Sequence, residues 1–154
     1  MTSKQYGRLT LGGYEFQVKD CDMTKFFIFD NDEDIDDEKD VITKTVSMDV
    51  CFEKGHFDNE VVSPQLIINE FPTGKSEVDD IIGMEFEVKL PEEAYEREDS
   101  LYIYEHEPLM NYKWKIIGIS DGLIHVLISG TAVTDGYSKP VQTADFDGEF
   151  MLRI

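Results

Sequence analysis

With 154 residues, the chain is long enough for one domain of ordinary size. Its hydrophobic fraction of 41% supplies enough material for a core, so the composition excludes a disordered acidic tail. The chain has 14 basic and 33 acidic residues, which gives a formal net charge of −19. This charge favours a basic protein as partner. It excludes nucleic acid and anionic membranes as partners, because their phosphates are repelled.

The first residues contain no apolar run typical of a secretory signal, and no apolar stretch is long enough to span a bilayer. We therefore expect a cytoplasmic protein that makes no membrane contact and keeps Cys21 and Cys51 reduced. Because the two cysteines form no CxxC motif, we interpret them as small buried side chains. The high like charge disfavours self-association, so we expect a monomer when the chain is free.

Alternation of apolar and polar residues with a period of two is the dominant pattern along the chain. It begins at residues 13–19, where Tyr14, Phe16 and Val18 share one face. The same alternation occurs at 42–52, 84–90 and 146–154, and shorter apolar runs occur at 26–29, 61–68, 101–104, 112–119 and 123–129. Each segment is typical of an antiparallel strand with one buried face.

Turn and helix signals complete the prediction of an all-β fold. Asp121-Gly122 between two apolar alternations predicts a hairpin, and Asp135-Gly136 and Asp147-Gly148 indicate further turns or bulges. Short helical turns are predicted at 76–82, with Ser76 as a cap, and at 92–97 after Pro91. We predict a single domain, 1–154, built as an antiparallel β-sandwich or closed barrel of about nine or ten strands.

An internal similarity suggests two related halves. Residues 13–19 and 83–89 share the pattern G-x-E-F-x-V-K, and each is followed by an aromatic segment that ends in an acidic residue. The pattern predicts halves at about 7–71 and 77–154. Chance similarity between amphipathic strands is an alternative of equal weight.

The acidic charge is concentrated in two blocks. Residues 20–40 carry ten acidic against two basic side chains, and residues 92–107 carry seven against one. Tyrosine set among carboxylates is typical of surfaces where Arg and Lys of a partner bind. The predicted partner-binding residues are Asp30, Asp32, Glu33, Asp34, Asp36, Asp37, Glu38, Glu96, Glu98, Asp99, Tyr102 and Tyr104. For residues 30–40, a solvated loop is an equally good interpretation.

The chain lacks the patterns that carry catalysis or bind metals. The segment from Asp30 resembles the start of a calcium loop, but Ile35 stands where glycine is required and Val41 where glutamate is required. No GxSxG, HExxH or phosphate-binding glycine motif is present, and the three histidines do not converge in sequence. We therefore expect no enzymatic activity, no catalytic residue, no metal site and no cofactor.

In overall character and in its two acidic blocks, the chain resembles the immunity proteins of bacterial polymorphic toxin and contact-dependent growth inhibition systems. The resemblance implies a small protein that binds a cognate toxin domain, often a basic nuclease, and blocks its active site. No motif of the resemblance assigns individual binding residues, so the residues named above come from charge and aromatic clustering.

Three alternatives compete with this interpretation. A nucleic-acid mimic that inhibits a DNA- or RNA-binding enzyme would space its acids along an extended surface. A β-barrel that binds a small apolar ligand would have an open interior lined by Phe and Met. An enzyme using paired carboxylates would hold two of them at a fixed separation in a cleft.

Overall fold

The computed structural model describes residues 6–31 and 41–154. In these residues the chain forms twelve strands, one short 3₁₀ helix (Val78–Ile81) and one α-helix, α1 (Pro91–Arg97). The strands are β1 (Gly7–Leu11), β2 (Tyr14–Gln17), β3 (Lys25–Asn31), β4 (Thr43–Cys51), β5 (Gly55–Phe57), β6 (Glu60–Val62), β7 (Gln65–Pro72), β8 (Glu85–Val88), β9 (Ser100–Tyr102), β10 (His106–Ser120), β11 (Leu123–Asp135) and β12 (Gln142–Arg153). The all-β prediction is confirmed.

Ten of these strands form one antiparallel sheet that curls into a half-barrel. Their order is β2-β1-β12-β11-β10-β9-β7-β4-β3, and β8 lies beside β10 on the edge opposite β11. The strands β5 and β6 form a separate hairpin. The prediction of nine or ten strands agrees with the ten strands of this main sheet. The sheet curls because each strand has one apolar face, and these faces must be buried against one another.

The two ends of the curled sheet meet at one point. Val18, just after β2, forms an isolated antiparallel bridge with Phe52, just after β4. The Lys19 N–H donates to the Cys51 carbonyl at 2.8 Å, and the Glu53 N–H donates to the Gln17 carbonyl at 2.8 Å. We call this contact the seam.

Aromatic side chains fill the interior of the half-barrel. Trp114 of β10 is 1% exposed and stacks on Phe86 of β8 with 4.4 Å between ring centroids. Phe26 and Phe71 meet the Trp114 ring edge-on at 6.0 and 5.8 Å. Each such side chain contributes about 2 kcal/mol on burial, so this cluster is a principal source of stability. Phe52 and Phe150 extend the same core toward the seam.

In two hairpins, an aspartate and the residue after it both have positive φ. The predicted hairpin between β10 and β11 is confirmed, with φ of 55° at Asp121 and 76° at Gly122. The hairpin between β5 and β6 turns at Asp58 and Asn59, with φ of 46° and 68°, and was not predicted. Asx side chains tolerate this conformation better than other non-glycine residues, so Asp-Asn serves here as Asp-Gly does in the first hairpin.

Some local predictions were wrong. The segment after Ser76 forms only the 3₁₀ helix, and Glu77 occupies its N-cap without a side-chain hydrogen bond. Asp147-Gly148 lies inside β12 and makes no turn. There Gly148 has a packing role, because a Cβ at this position would lie 2.4 Å from Cζ of Phe150. The predicted helix after Pro91 is confirmed as α1.

The two proposed halves have similar local geometry. Gly13 and Gly83 both have φ near +90°, at 88° and 91°, and each precedes a segment that buries a Phe and a Val. Along one edge, β4 pairs with β3, and Phe52 just after β4 pairs with Val18. In the other half, β10 pairs with β9 and then with β8. A common origin of the halves stays a prediction.

Candidate functional site

Asp99 was predicted to bind a partner, but the structure places it inside the fold, with no exposed surface. Its Oδ2 accepts from Arg97 Nε at 2.7 Å and from the Tyr112 hydroxyl, and its Oδ1 accepts from the Asn69 backbone N–H at 2.6 Å. The Arg97 guanidinium lies over the Phe71 ring at 3.6 Å. This carboxylate therefore fastens the end of α1 to β7 and β10 and cannot contact a partner.

The same network keeps a buried phenol protonated. Burial raises the pKa of Tyr112 well above its ordinary value, and the hydrogen bond to Asp99 adds to this effect. The hydroxyl can therefore donate permanently to the carboxylate. Arg97 closes the network by donating from Nη2 to the Asn69 carbonyl at 2.8 Å.

Most predicted residues of the first acidic block, Asp32, Glu33, Asp34, Asp36, Asp37 and Glu38, lie outside the described residues. Asp30, at the end of β3, is described. Its Oδ1 accepts from Lys44 Nζ of β4 at 2.6 Å, and about half of its side chain is exposed. Its charge is thus already partly balanced within the sheet.

The remaining predicted residues surround α1 and β9. Glu96 and Glu98 are exposed, and Glu98 ends α1 with a left-handed φ of 60°. Tyr102 is half-buried against the ring of His106, with 4.8 Å between the centroids. Glu98 and His106 line an open cleft, the helix cleft, with Ile67, Asn69, Tyr95, Ser100, Glu107 and Pro108.

A second open cleft holds Tyr104, the last of the predicted residues. This cleft lies where the β5–β6 hairpin, the loop before β10 and the end of β11 meet. Its lining is Phe57, Asp58, Glu60, Tyr104, Glu105, Glu107, Thr134, Asp135, Tyr137 and Gln142, and we call it the tyrosine cleft. Its volume is about 440 Å³, enough for the end of a long side chain. Glu107 lines both clefts, so the two adjoin.

Aromatic packing holds the tyrosine cleft in shape. Phe57 is buried between Tyr14 and Tyr104, with ring centroids 5.2 and 6.2 Å away. The Tyr104 hydroxyl donates to the Phe57 carbonyl at 3.3 Å, and the Tyr14 hydroxyl donates to Oδ1 of Asp58 at 3.4 Å. Tyr137 is 81% exposed at the rim. Ring contacts and two hydrogen bonds thus position the floor of the cleft, and the rim presents an aromatic ring to solvent.

The tyrosine cleft is strongly negative. Its described lining contains five carboxylates and no Lys or Arg: Asp58, Glu60, Glu105, Glu107 and Asp135. The ion pairs found among residues 6–31 and 41–154 use other carboxylates. Burial raises the pKa of Tyr104, and the charges of Glu60 and Asp58 raise it further. The cleft therefore has a negative field, and none of its five carboxylates forms an ion pair with a described residue.

Several residues of this cleft were missed by sequence reasoning. Asp58, Glu60 and Asp135 lie outside the two acidic blocks, and only strand pairing brings them beside Tyr104. The Asp135-Gly136 turn signal was a partial clue, since the chain does leave β11 there. The second clue was the Asp58-Asn59 pair, whose turn signal was not recognised in the sequence.

In the described part of the chain, no group of three or more His, Cys, Asp or Glu side chains is placed to hold a metal ion. Neither helix described combines the length and hydropathy needed to cross a membrane. No family model, no curated protein and no solved structure matches this chain significantly.

Proposed function

We propose that this chain is a non-catalytic binding protein that receives Arg or Lys side chains of a basic protein partner in the tyrosine cleft. The observation that carries the proposal is the set of five cleft carboxylates, none of them in an ion pair with a described residue, that lie with Tyr104 and Tyr137 in the lining. A guanidinium can pair with the carboxylates and stack on a tyrosine ring at the same time. Tyrosine and arginine are enriched among the residues that contribute most of the binding energy in protein interfaces.

The net charge of −19 supports the same proposal at longer range. A protein field of this sign attracts a basic surface before contact and raises the association rate. This is the property required of an immunity-type inhibitor, which must capture a toxin domain quickly. We therefore propose a toxin domain, and specifically a basic nuclease, as the partner.

Two structural observations favour this proposal over a barrel that binds an apolar ligand. The interior holds Trp114, Phe26 and Phe150, all almost completely buried and in contact with other rings. The clefts described above lie outside that interior and are lined by charged side chains. A nucleic-acid mimic is disfavoured by the compact arrangement of the cleft, since phosphate mimicry requires an extended row of charges.

The test removes three cleft charges without changing side-chain size, by combining Asp58→Asn, Glu60→Gln and Asp135→Asn. The matched control, Glu53→Gln with Asp79→Asn and Asp80→Asn, removes three exposed charges elsewhere. We expect the cleft variant to bind a fluorescent arginine-rich peptide about tenfold more weakly than the control, because three ion pairs are lost. Anisotropy titrations at low salt measure the difference.

Equal affinity of the two variants would refute the cleft as the binding site. Capture from a lysate of the native host, at low and high salt, then tests the partner. A basic protein should be retained at low salt by the unaltered chain and by the control, and less by the cleft variant. Retention that does not respond to salt would contradict electrostatic capture.

A further inference from the structure

The two cysteines lie next to each other at the seam. Cys21 follows β2 in the connection to β3, and Cys51 is the last residue of β4. Both are free thiols with intermediate exposure. The expectation that they are small buried side chains was wrong, because the seam brings two distant segments together and leaves both residues partly exposed.

One threonine holds both cysteines in place. Thr24 Oγ1 lies 3.7 Å from the Cys21 sulfur and accepts from the Cys51 backbone N–H at 3.1 Å. The Thr24 N–H donates to the Cys21 carbonyl at 3.0 Å, which fixes the turn that carries Cys21. Thr24 therefore contacts the side chain of Cys21 and the backbone of Cys51 at once, and the Lys19 N–H, two residues before Cys21, donates to the Cys51 carbonyl at 2.8 Å.

The surroundings distinguish the two thiols. Burial by itself raises the pKa of Cys21, but hydrogen bonds from Thr24, Met23 and Cys51 outweigh this effect and the net pKa is lowered. The pKa of Cys51 is raised by burial, by the charge of Cys21 and by Asp49. Because the thiolate is the attacking species, Cys21 suits the role of nucleophile and Cys51 that of resolving thiol.

We propose that Cys21 and Cys51 form a reversible intramolecular disulfide by exchange with a low-molecular-weight disulfide. The Cys21 thiolate attacks one sulfur of the reagent, forms a mixed disulfide and releases one thiolate. The Cys51 thiol loses its proton to that thiolate, and its sulfur attacks the Cys21 sulfur and releases the second reagent thiolate. The second reagent thiolate takes up the proton that Cys21 released on ionisation. Counted from two protein thiols, the protein loses two electrons and two protons, and the reagent disulfide is reduced to two thiols.

The disulfide would add a covalent link to the seam. At the seam, the two ends of the sheet are joined by the isolated bridge between Val18 and Phe52 and by the flanking backbone hydrogen bonds. A covalent link between Cys21 and Cys51 would hold the β2–β3 connection against the end of β4. This inference is independent of the tyrosine cleft, because neither cysteine lines it.

The experiment incubates the reduced full-length chain with oxidised glutathione and digests the product with trypsin under non-reducing conditions. We expect a protein lighter by two hydrogen atoms and a linked pair of peptides, 20–25 and 45–54. Thermal unfolding should shift upward by about 10 °C, because the link restricts the unfolded chain. Reduced glutathione in excess should restore the starting mass and Tm.

Single variants test the order of attack. Cys51→Ser should trap one glutathione at Cys21 rapidly, and Cys21→Ser should react at Cys51 several-fold more slowly. The opposite order would overturn the assignment of nucleophile and resolving thiol. An unchanged mass, or stable mixed disulfides on both cysteines of the unaltered chain, would overturn the disulfide itself.

Discussion

Asp99 shows how a residue-scale environment decides the role of an acidic side chain. In sequence it belongs to the same block as Glu96 and Glu98, and nothing in composition separates the three. In the fold, Asp99 has no exposed surface, whereas Glu96 and Glu98 face solvent. Burying a carboxylate is costly unless it is fully paired, and Arg97 and Tyr112 supply the partners.

The substitution Asp99→Asn should therefore destabilise the protein by about 3 kcal/mol, because it leaves the partly buried Arg97 without a counter-charge. Urea denaturation followed by tryptophan fluorescence measures this, since Trp114 lies in the core. The control Glu98→Gln should change stability by about 0.5 kcal/mol or less. Similar losses in both variants would mean that the network is not a special source of stability.

At the scale of strands, β10 and β11 form the longest hairpin and contain two glycines with different surroundings. A Cβ on Gly130 would lie 2.2 Å from the Asn111 carbonyl oxygen and 2.7 Å from the Tyr112 Cα. A Cβ on Gly118 would meet nothing within 4 Å. The sequence does not distinguish the two glycines, but only Gly130 allows two strand backbones to approach closely.

We expect Gly130→Ala to destabilise the protein by about 2 kcal/mol or more, because backbone atoms must shift to accept the methyl group. Gly118→Ala should be neutral or slightly stabilising, since it reduces the entropy of the unfolded chain without a clash. Chemical denaturation of the two variants measures the difference. Comparable stabilities would show that the sheet relaxes around residue 130.

At the scale of the whole molecule, charge is distributed unevenly around a neutral core. The tyrosine cleft and the helix cleft adjoin at Glu107, whereas the outer surface of β10 and neighbouring strands alternates Lys113 and Lys115 with acids. Under the proposed function, these adjoining clefts would direct a basic partner to one end of the half-barrel rather than to its whole surface. Residues 32–38 add six carboxylates to the total field.

Reversing charges within residues 32–38 should slow association with a basic partner more than reversing those within residues 145–149. The reason is that the first segment carries a dense block of like charge, which contributes most to long-range attraction. Stopped-flow association with the arginine-rich peptide, at low and physiological salt, measures the two rates. If both variants associate equally slowly, the attraction comes from the net charge of the protein and not from the acidic block at residues 32–38.

The fold class could be predicted because strands are visible in the sequence itself. A strand with one buried face alternates apolar and polar residues, and a strand buried on both faces is a short apolar run. This pattern predicted the strands at 42–52 and 112–119, and the Asp-Gly pair between two such patterns predicted the hairpin at Asp121-Gly122. Sequence reasoning predicted less of the candidate site. Of the described residues it named, Tyr104 lines the tyrosine cleft, Glu98 lines the helix cleft, and Asp99 is buried.

The sequence by itself determined the all-β class, the acidity and the position of α1, because each depends on local pattern or on composition. Only the tertiary structure decided which carboxylates stay exposed, which surround Tyr104, and that Cys21 meets Cys51. These outcomes depend on pairing between strands far apart in the chain. The physical reason is that strand order and the closure of the curled sheet are set by the whole set of apolar faces, which no local stretch of residues contains.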